Sequence, residues 1–133
     1  MGEKLFEEKG TTTMTFIKEV KGDGITIKQS FNSEIKGFGK FPSGKNMGSG
    51  EFWTSPEGKA KGWWRGMLMT DDKQMIVWKG SGHSMRDMDK VKGILVCTFM
   101  TKSEKYSWLN SIIVVIDLQG DLMSFSSVGY EWK

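Results

Sequence analysis

Small or apolar residues alternate with polar ones along the middle of the chain, the pattern of a β-strand with one buried face. The clearest case covers residues 59–68. One set of alternating positions there is Ala60, Gly62, Trp64, Gly66 and Leu68, and the other is Lys59, Lys61, Trp63, Arg65 and Met67. Because successive side chains of a strand point to opposite faces, we expect Trp64 to lie inside and Trp63 outside.

Similar patterns predict extended segments along most of the chain and no helix longer than two turns. The segments begin at Thr11 and end with a strand from Leu122 to Trp132. Short strands at regular spacing are typical of a sandwich or a closed barrel. We therefore predict an all-β fold, a single eight-stranded antiparallel β-barrel domain over residues 11–133. Residues 1–10 are highly charged, and we expect them to form a flexible N-terminal arm.

Tryptophans lie beside glycines on three consecutive predicted strands. These are Trp53, Trp64 and Trp78, and Phe52 directly precedes the first of them. Glycines leave room on a sheet face for large rings or for a ligand between the rings. An eight-stranded barrel has an interior just wide enough to be filled by side chains or to hold one small ligand. The sequence favours packed rings slightly and leaves a ligand cavity open as the alternative.

Four glycine-containing or polar segments resemble those of a known group of proteins. They are residues 48–58, 66–72, 78–82 and 101–110. These segments look like those of small uncharacterised prokaryotic proteins, which in turn resemble the allene oxide cyclase-like barrels of the calycin type. The resemblance implies an eight-stranded antiparallel barrel, a cavity for apolar small molecules, and oligomers. It does not carry any catalytic residue to a position of this chain.

Two polar residues, Glu51 and Asn110, occur in otherwise apolar strand contexts. A polar group that becomes buried must find hydrogen-bond partners. Each residue is therefore either a structural tether, which we favour, or the group that orients a ligand. The candidate ligand-binding residues are Phe52, Trp53, Trp64, Trp78, Glu51 and Asn110.

Other kinds of site have little support. The net charge is only +3, with basic residues scattered among acidic ones, so we expect no nucleic-acid partner. Cys97 and His83 are the single cysteine and histidine, which predicts no disulfide, no metal site and no cofactor. We expect Cys97 to be a buried thiol and His83 to lie on the surface. The chain shows no secretory signal and no apolar run that could span a membrane, so we expect a cytoplasmic protein without a membrane partner.

Three function classes remain open at this stage. The first is a module that binds a small hydrophobic molecule inside the barrel. The second is an isomerase- or cyclase-like enzyme on the same barrel, in which a carboxylate such as Glu51 assists. The third is a fully packed structural or interaction barrel without a ligand, so whether the protein is an enzyme stays undecided.

The outward positions of three neighbouring predicted strands are also apolar. They are Trp63, Met67, Met69, Met75, Val77, Ile94, Val96 and Met100. Monomeric proteins rarely expose a continuous apolar patch of more than a few hundred Å². No long amphipathic helix is available to cover this strip. We therefore expect a homo-oligomer, a dimer or a trimer.

Overall fold

A computed structural model describes residues 2–133 as a closed barrel of eight antiparallel strands, each hydrogen-bonded to the next, with the last paired to the first. The strands are β1 (Lys4–Lys21), β2 (Gly24–Gly37), β3 (Gly44–Thr54), β4 (Lys59–Thr70), β5 (Met75–Asp87), β6 (Lys90–Met100), β7 (Ile113–Gly120) and β8 (Ser124–Glu131). A short 3₁₀ helix (Ser107–Ser111) lies between β6 and β7. The predicted fold class is confirmed.

Tight turns join the strands at one end of the barrel, which we call the open end. The turns are those between β1 and β2, β3 and β4, β5 and β6, and β7 and β8. Gly58 in the second of these turns has φ +96°, a conformation that glycine adopts without steric cost. The opposite, closed end carries the longer connection that includes the 3₁₀ helix.

The first ten residues differ from the prediction of a flexible arm. Lys4 to Gly10 form the first part of β1 and pair with both β2 and β8. Phe6 is only 2% exposed, and Glu8 is buried as well. The prediction was wrong because the outward Glu7 and Lys9 flank Glu8, and this run of charged residues hides the alternation of the strand. The barrel therefore needs these residues to close.

The strands are strongly staggered. A path around the barrel through directly paired residues runs Glu8, Ser127, Leu118, Gly93, Ser84, Ala60, Thr54, Ile25 and Val20. The path thus returns to β1 twelve positions beyond its start, or ten when the two bulges of β1 are set aside. A closed eight-stranded barrel filled completely by side chains typically has a stagger of about eight. Since stagger and width rise together, this interior is wider than such a core.

The closed end is packed and the open end is not. Leu68, Ile76, Leu109 and Val114 are completely buried near the closed end. Towards the open end, by contrast, the inward-facing residues are mostly half-buried, among them rings and leucines. They are Phe31, Phe52, Trp64, Trp78, Leu95, Leu118 and Phe125. Solvent therefore reaches the part of the interior near the open end, which we call the upper interior.

Candidate functional site

A buried carboxylate lies inside the barrel. Glu8 is 7% exposed and is the one buried charged residue among residues 2–133. Its Oε2 accepts hydrogen bonds from Ser33 Oγ at 2.5 Å and from Asn46 Nδ2 at 3.0 Å, and its Oε1 accepts one from Ser127 Oγ at 2.7 Å. These donors come from β2, β3 and β8, so the closure of the barrel itself assembles the site.

Asn46 extends this network to an aromatic ring. Its Oδ1 accepts a hydrogen bond of 2.8 Å from Trp78 Nε1 while its Nδ2 donates to Glu8. The amide thereby fixes the orientation of the Trp78 indole relative to the carboxylate. Every buried side-chain polar atom in the described part of the chain has at least one hydrogen-bond partner, so no atom of the network is left without one.

The charge of Glu8 has no counter-charge within the network. All three donors are neutral, and the four salt bridges of residues 2–133 involve other residues. Burying an ionised carboxylate is costly unless hydrogen bonds compensate it. A carboxylate offers about four acceptor positions. Three are occupied here, and the fourth belongs to Oε1, which accepts from Ser127 alone.

A group of aromatic rings lies on the open-end side of the network. We call it the aromatic wall, and its members are Phe31, Phe52, Trp64, Trp78 and Phe125. Phe31 is its centre, with ring centroids 5.8 Å from Trp64, 6.1 Å from Trp78 and 5.2 Å from Phe125. Phe52 stacks on Trp64 with centroids 6.0 Å apart.

Glycines of β1 and β3 make the aromatic wall possible. A Cβ built on Gly50 would lie 2.3 Å from the Trp64 indole, so any larger residue at this position would displace the ring. The rings therefore lie close against the sheet at these glycines.

The opposite side of the upper interior is bare. At Gly82 and Gly93 the nearest atoms to an added Cβ belong to the adjacent strand, mainly its backbone, and no ring is among them. Leu95 and Leu118 are the half-buried apolar residues of this side. We call the space between this side and the aromatic wall the cup.

Of the predicted ligand-binding residues, Phe52, Trp64 and Trp78 lie in the aromatic wall, and the inward placement of Trp64 is confirmed. Trp63 is 39% exposed on the outer face and stacks with the Arg65 guanidinium, as expected from alternation.

The structure corrects the placement of Glu51 and Trp53. Both alternate with the inward Gly50 and Phe52 and therefore lie on the outer face. Glu51 Oε1 pairs with Lys18 Nζ at 3.0 Å, and the Trp53 ring lies against Gly24 of the neighbouring strand. Adjacent residues of a strand cannot share a face, so the expectation that Phe52 and Trp53 both line the interior was wrong.

Asn110 acts as a structural tether, the role that we favoured. Its Oδ1 accepts a hydrogen bond of 2.8 Å from Thr101 N, and its Nδ2 donates one of 3.0 Å to Thr101 O. The side-chain amide thus bonds Thr101 as a neighbouring strand would. It holds the 3₁₀ helix to the end of β6, at the closed end and away from the cup.

Cys97 and His83 lie where the sequence predicted. The Cys97 thiol is 1% exposed, and burial, with a smaller contribution from the charge of Glu8, raises its pKa to about 12. His83 is exposed on the outer face of β5. No group of three or more potential ligands in residues 2–133 is arranged to hold a metal ion.

Two cavities of the described residues are grooves on the outer surface of the sheet. One, of about 630 Å³, is lined by residues that include Met47, Met67 and Arg65, and the other, of about 560 Å³, includes His83 and Tyr130. Neither contains Glu8. The first groove also includes Phe31 and Trp78 of the aromatic wall, but most of the lining of both grooves faces outward, so neither defines the interior site.

Sequence reasoning missed Glu8, Ser33, Asn46 and Ser127. A signal was present, because Glu8 lies two residues after Phe6 and Ser33 lies two residues after Phe31, which puts each pair on one face. The convergence of the four residues depends on the stagger of the strands, and no local pattern reveals it.

Comparisons with known proteins support the fold. No protein-family model and no curated protein sequence matches the chain. A β-barrel-like protein from Acinetobacter baumannii AYE is similar in structure, with a TM-score of 0.85, 19% identity and coverage of 98% of this chain and 94% of that one. A protein of unknown function from Clostridium acetobutylicum has a TM-score of 0.83 at 20% identity, with 98% of both chains covered.

A third similar structure is described as an enzyme from Penicillium herquei. Its TM-score is 0.72 at 20% identity, and the match covers 96% of this chain and 92% of that one. At such low identity these likenesses establish the eight-stranded barrel. Residues 2–133 contain no helix that is both long and apolar enough to cross a membrane.

Proposed function

We propose that the barrel binds a small hydrophobic molecule in the cup. The observation that carries the proposal is the half-burial of the inward rings of the aromatic wall, directly above a buried, hydrogen-bonded carboxylate. Ligand sites combine apolar walls with a few placed polar groups in this way. A barrel without a ligand would be expected to fill its upper interior as tightly as Leu68 and Ile76 fill the lower one.

A titration with the neutral fluorophore Nile red tests this proposal. We expect saturable binding to the folded protein, with at least tenfold weaker binding to Trp64→Ala. The matched control is Trp63→Ala, which removes an indole from the outer face and should leave the affinity unchanged. Equal weakening in both variants, or no saturable binding, would overturn the interior site. Molecules extracted from the purified protein and identified by mass spectrometry would reveal the ligand.

An isomerase- or cyclase-like enzyme on the same barrel is the second candidate. The observation that favours it is the carboxylate inside the cup, which replaces Glu51 as the candidate general base. The barrel from Penicillium herquei, described as an enzyme, is compatible with this candidate. Glu8→Gln should then abolish conversion of the bound molecule, whereas in a pure binding module the wild type itself leaves the ligand unchanged on incubation.

The resemblance to the allene oxide cyclase-like barrels of the calycin type belongs to the same proposal. It is supported by the closed eight-stranded topology and the large stagger. A cytoplasmic location is also proposed, since the single cysteine is a free thiol, which suits a reducing compartment.

We also propose that a second copy of the chain covers the outer face of β3–β6. Directly paired residues form an apolar line across these four strands, the methionine row: Met47, Met67, Val77 and Met100. Met69 and Met75 continue it towards the closed end, and all six except the half-buried Met67 are exposed. Met-rich surfaces adapt well to protein contacts.

Charge complementarity favours a two-fold contact over other occupants. Along β4 the order is Arg65, Met67, Met69 and then the exposed Asp71. A two-fold axis between Met67 and Met69, running across the strands, would place Arg65 of one copy over Asp71 of the other. Light scattering should give a dimer for the wild type and a monomer for Val77→Glu. The control Ser126→Glu, on the outer face of β8, should stay dimeric, and a wild-type monomer at micromolar concentration would contradict the proposal.

A further inference from the structure

The charge inside the cup points to a chemical class of ligand. Glu8 is buried without a cation, and the donors that bond it are the neutral Ser33, Asn46 and Ser127. One acceptor position of Oε1 is not taken by the protein. A positively charged N–H group is the partner that gains most from such a position, because it adds a charge–charge attraction to a hydrogen bond that the ionised acceptor already strengthens.

The aromatic wall favours the same class. The Phe31 ring lies with its centroid 5.8 Å from that of Trp64 and 6.1 Å from that of Trp78, and all three rings are half-buried. Organic cations are attracted to such rings, and the attraction grows when water is excluded. A carboxylate ligand would be repelled instead, since its charge would lie near that of Glu8 and no buried lysine or arginine would compensate it.

The stagger gives a route from the cup to Glu8. Glu8 pairs with Ser127, Ser127 with Leu118, and Leu118 with Gly93, so the carboxylate lies on the same inward line as the bare side of the cup. Nothing larger than a glycine or a serine side chain lies on this line except Leu118 and Glu8 itself. This line carries no ring, which suits a narrow head group that reaches Oε1 along β6–β8 while the apolar body stays against the aromatic wall.

We propose that the ligand is a hydrophobic amine, whose ammonium group donates a hydrogen bond to Glu8 Oε1 while its apolar body packs against the aromatic wall. This inference rests on the proposed function of the cup. It goes further because it assigns the sign of the ligand's charge, the atom that recognises it and the orientation of the molecule.

A matched series of eight-carbon probes tests the inference by calorimetry at pH 7: octylamine, octanol and octanoate. We expect octylamine to bind at least tenfold more tightly than octanol, and octanoate to bind more weakly than either. In Glu8→Gln the preference for the amine should disappear while octanol binding remains. The control Glu51→Gln, which changes the outer carboxylate paired with Lys18, should keep the full preference.

The outcomes separate this inference from the proposed function. Octanol and octanoate binding as tightly as octylamine would overturn the amine assignment and leave the cup as a hydrophobic site. Binding of none of the probes, together with no Nile red binding, would overturn the proposed function itself. If Glu8→Gln does not fold, Ser127→Ala serves instead: it frees a second position on Oε1 and should retain or increase the preference for octylamine, and loss of the preference would contradict the assigned atom.

Discussion

Asn46 donates a hydrogen bond of 3.0 Å to Glu8 across the intervening strand β2, which connects the first strand of the barrel to the third. The same amide accepts from the Trp78 indole, so one side chain joins the buried charge to the aromatic wall. The network therefore depends on both the strand register and the Asn46 amide. A change in either would leave Glu8 and the Trp78 N–H without this partner.

Asn46→Leu should therefore be strongly destabilising. It leaves the Trp78 N–H and one acceptor position of Glu8 unpaired, and each unpaired buried group costs about 1–3 kcal/mol. We expect the free energy of unfolding in urea to fall by about 2–6 kcal/mol on this basis. The control Asn32→Leu alters an exposed amide on β2 and should stay within about 0.5 kcal/mol of the wild type. Equal effects would mean that the network adds nothing to stability.

The two adjacent tryptophans of β4 provide a second test. Trp64→Ala removes a half-buried ring that packs against Phe31 and Phe52, and we expect a loss of about 3 kcal/mol, the lower end of the range for large aromatic truncations in a core. Trp63→Ala removes an outer ring that contacts Arg65 and should cost about 1 kcal/mol or less. The reverse order in chemical denaturation would contradict the assigned strand faces.

The regular spacing of short strands along the chain predicted the fold class. The alternation of β4 and β5 predicted the inward faces of Trp64 and Trp78, since a period of two is a local property of the sequence. The charge of the first ten residues concealed the first seven residues of β1, because Glu8 breaks the rule that inward positions are apolar. The site could not be predicted for the same reason. Ser33, Asn46 and Ser127 are separated by many residues, and only the stagger of the closed barrel brings them to one carboxylate.

Asp72 ties the β4–β5 turn to the connection that follows β6. Hydrogen bonds from Thr70, Lys105 and Tyr106 hold the pKa of its carboxyl well below the ordinary value. A pKa that is lower in the folded state stabilises the protein above the unfolded value of about 4, and this contribution is lost as the pH falls towards the folded pKa. Asp72→Asn should therefore lower the melting temperature at pH 7, with a difference that shrinks below about pH 4.

The control for this pH dependence is Asp89→Asn, which changes an exposed aspartate in the β5–β6 turn. It should lower the melting temperature at pH 7 by less than Asp72→Asn does. A difference between the wild type and Asp72→Asn that stays constant down to pH 2 would show that the carboxylate does not stabilise the turn through its charge.

Removal of metal ions should leave the fold intact. The hydrogen-bonded Glu8 network needs no cation to satisfy its polar atoms, and the described residues offer no cluster of metal ligands. A structural metal contributes folding free energy directly, so its loss lowers stability. We expect the same melting temperature before and after prolonged dialysis against EDTA. A fall of many degrees that is reversed by one added metal would contradict this expectation.

Cys97 reports on how far the cup extends towards the closed end. Its Sγ packs against Gly80. The raised pKa keeps the buried thiol protonated at pH 8, whereas reagents such as DTNB react with the thiolate anion. We expect DTNB to react with native Cys97 only at the rate of global unfolding. The control is the double variant C97A/T98C, which moves the thiol to the exposed outer neighbour and should react within seconds to minutes. Equal rates would mean that reagents enter below the aromatic wall, and the cup would then have to reach the level of Cys97.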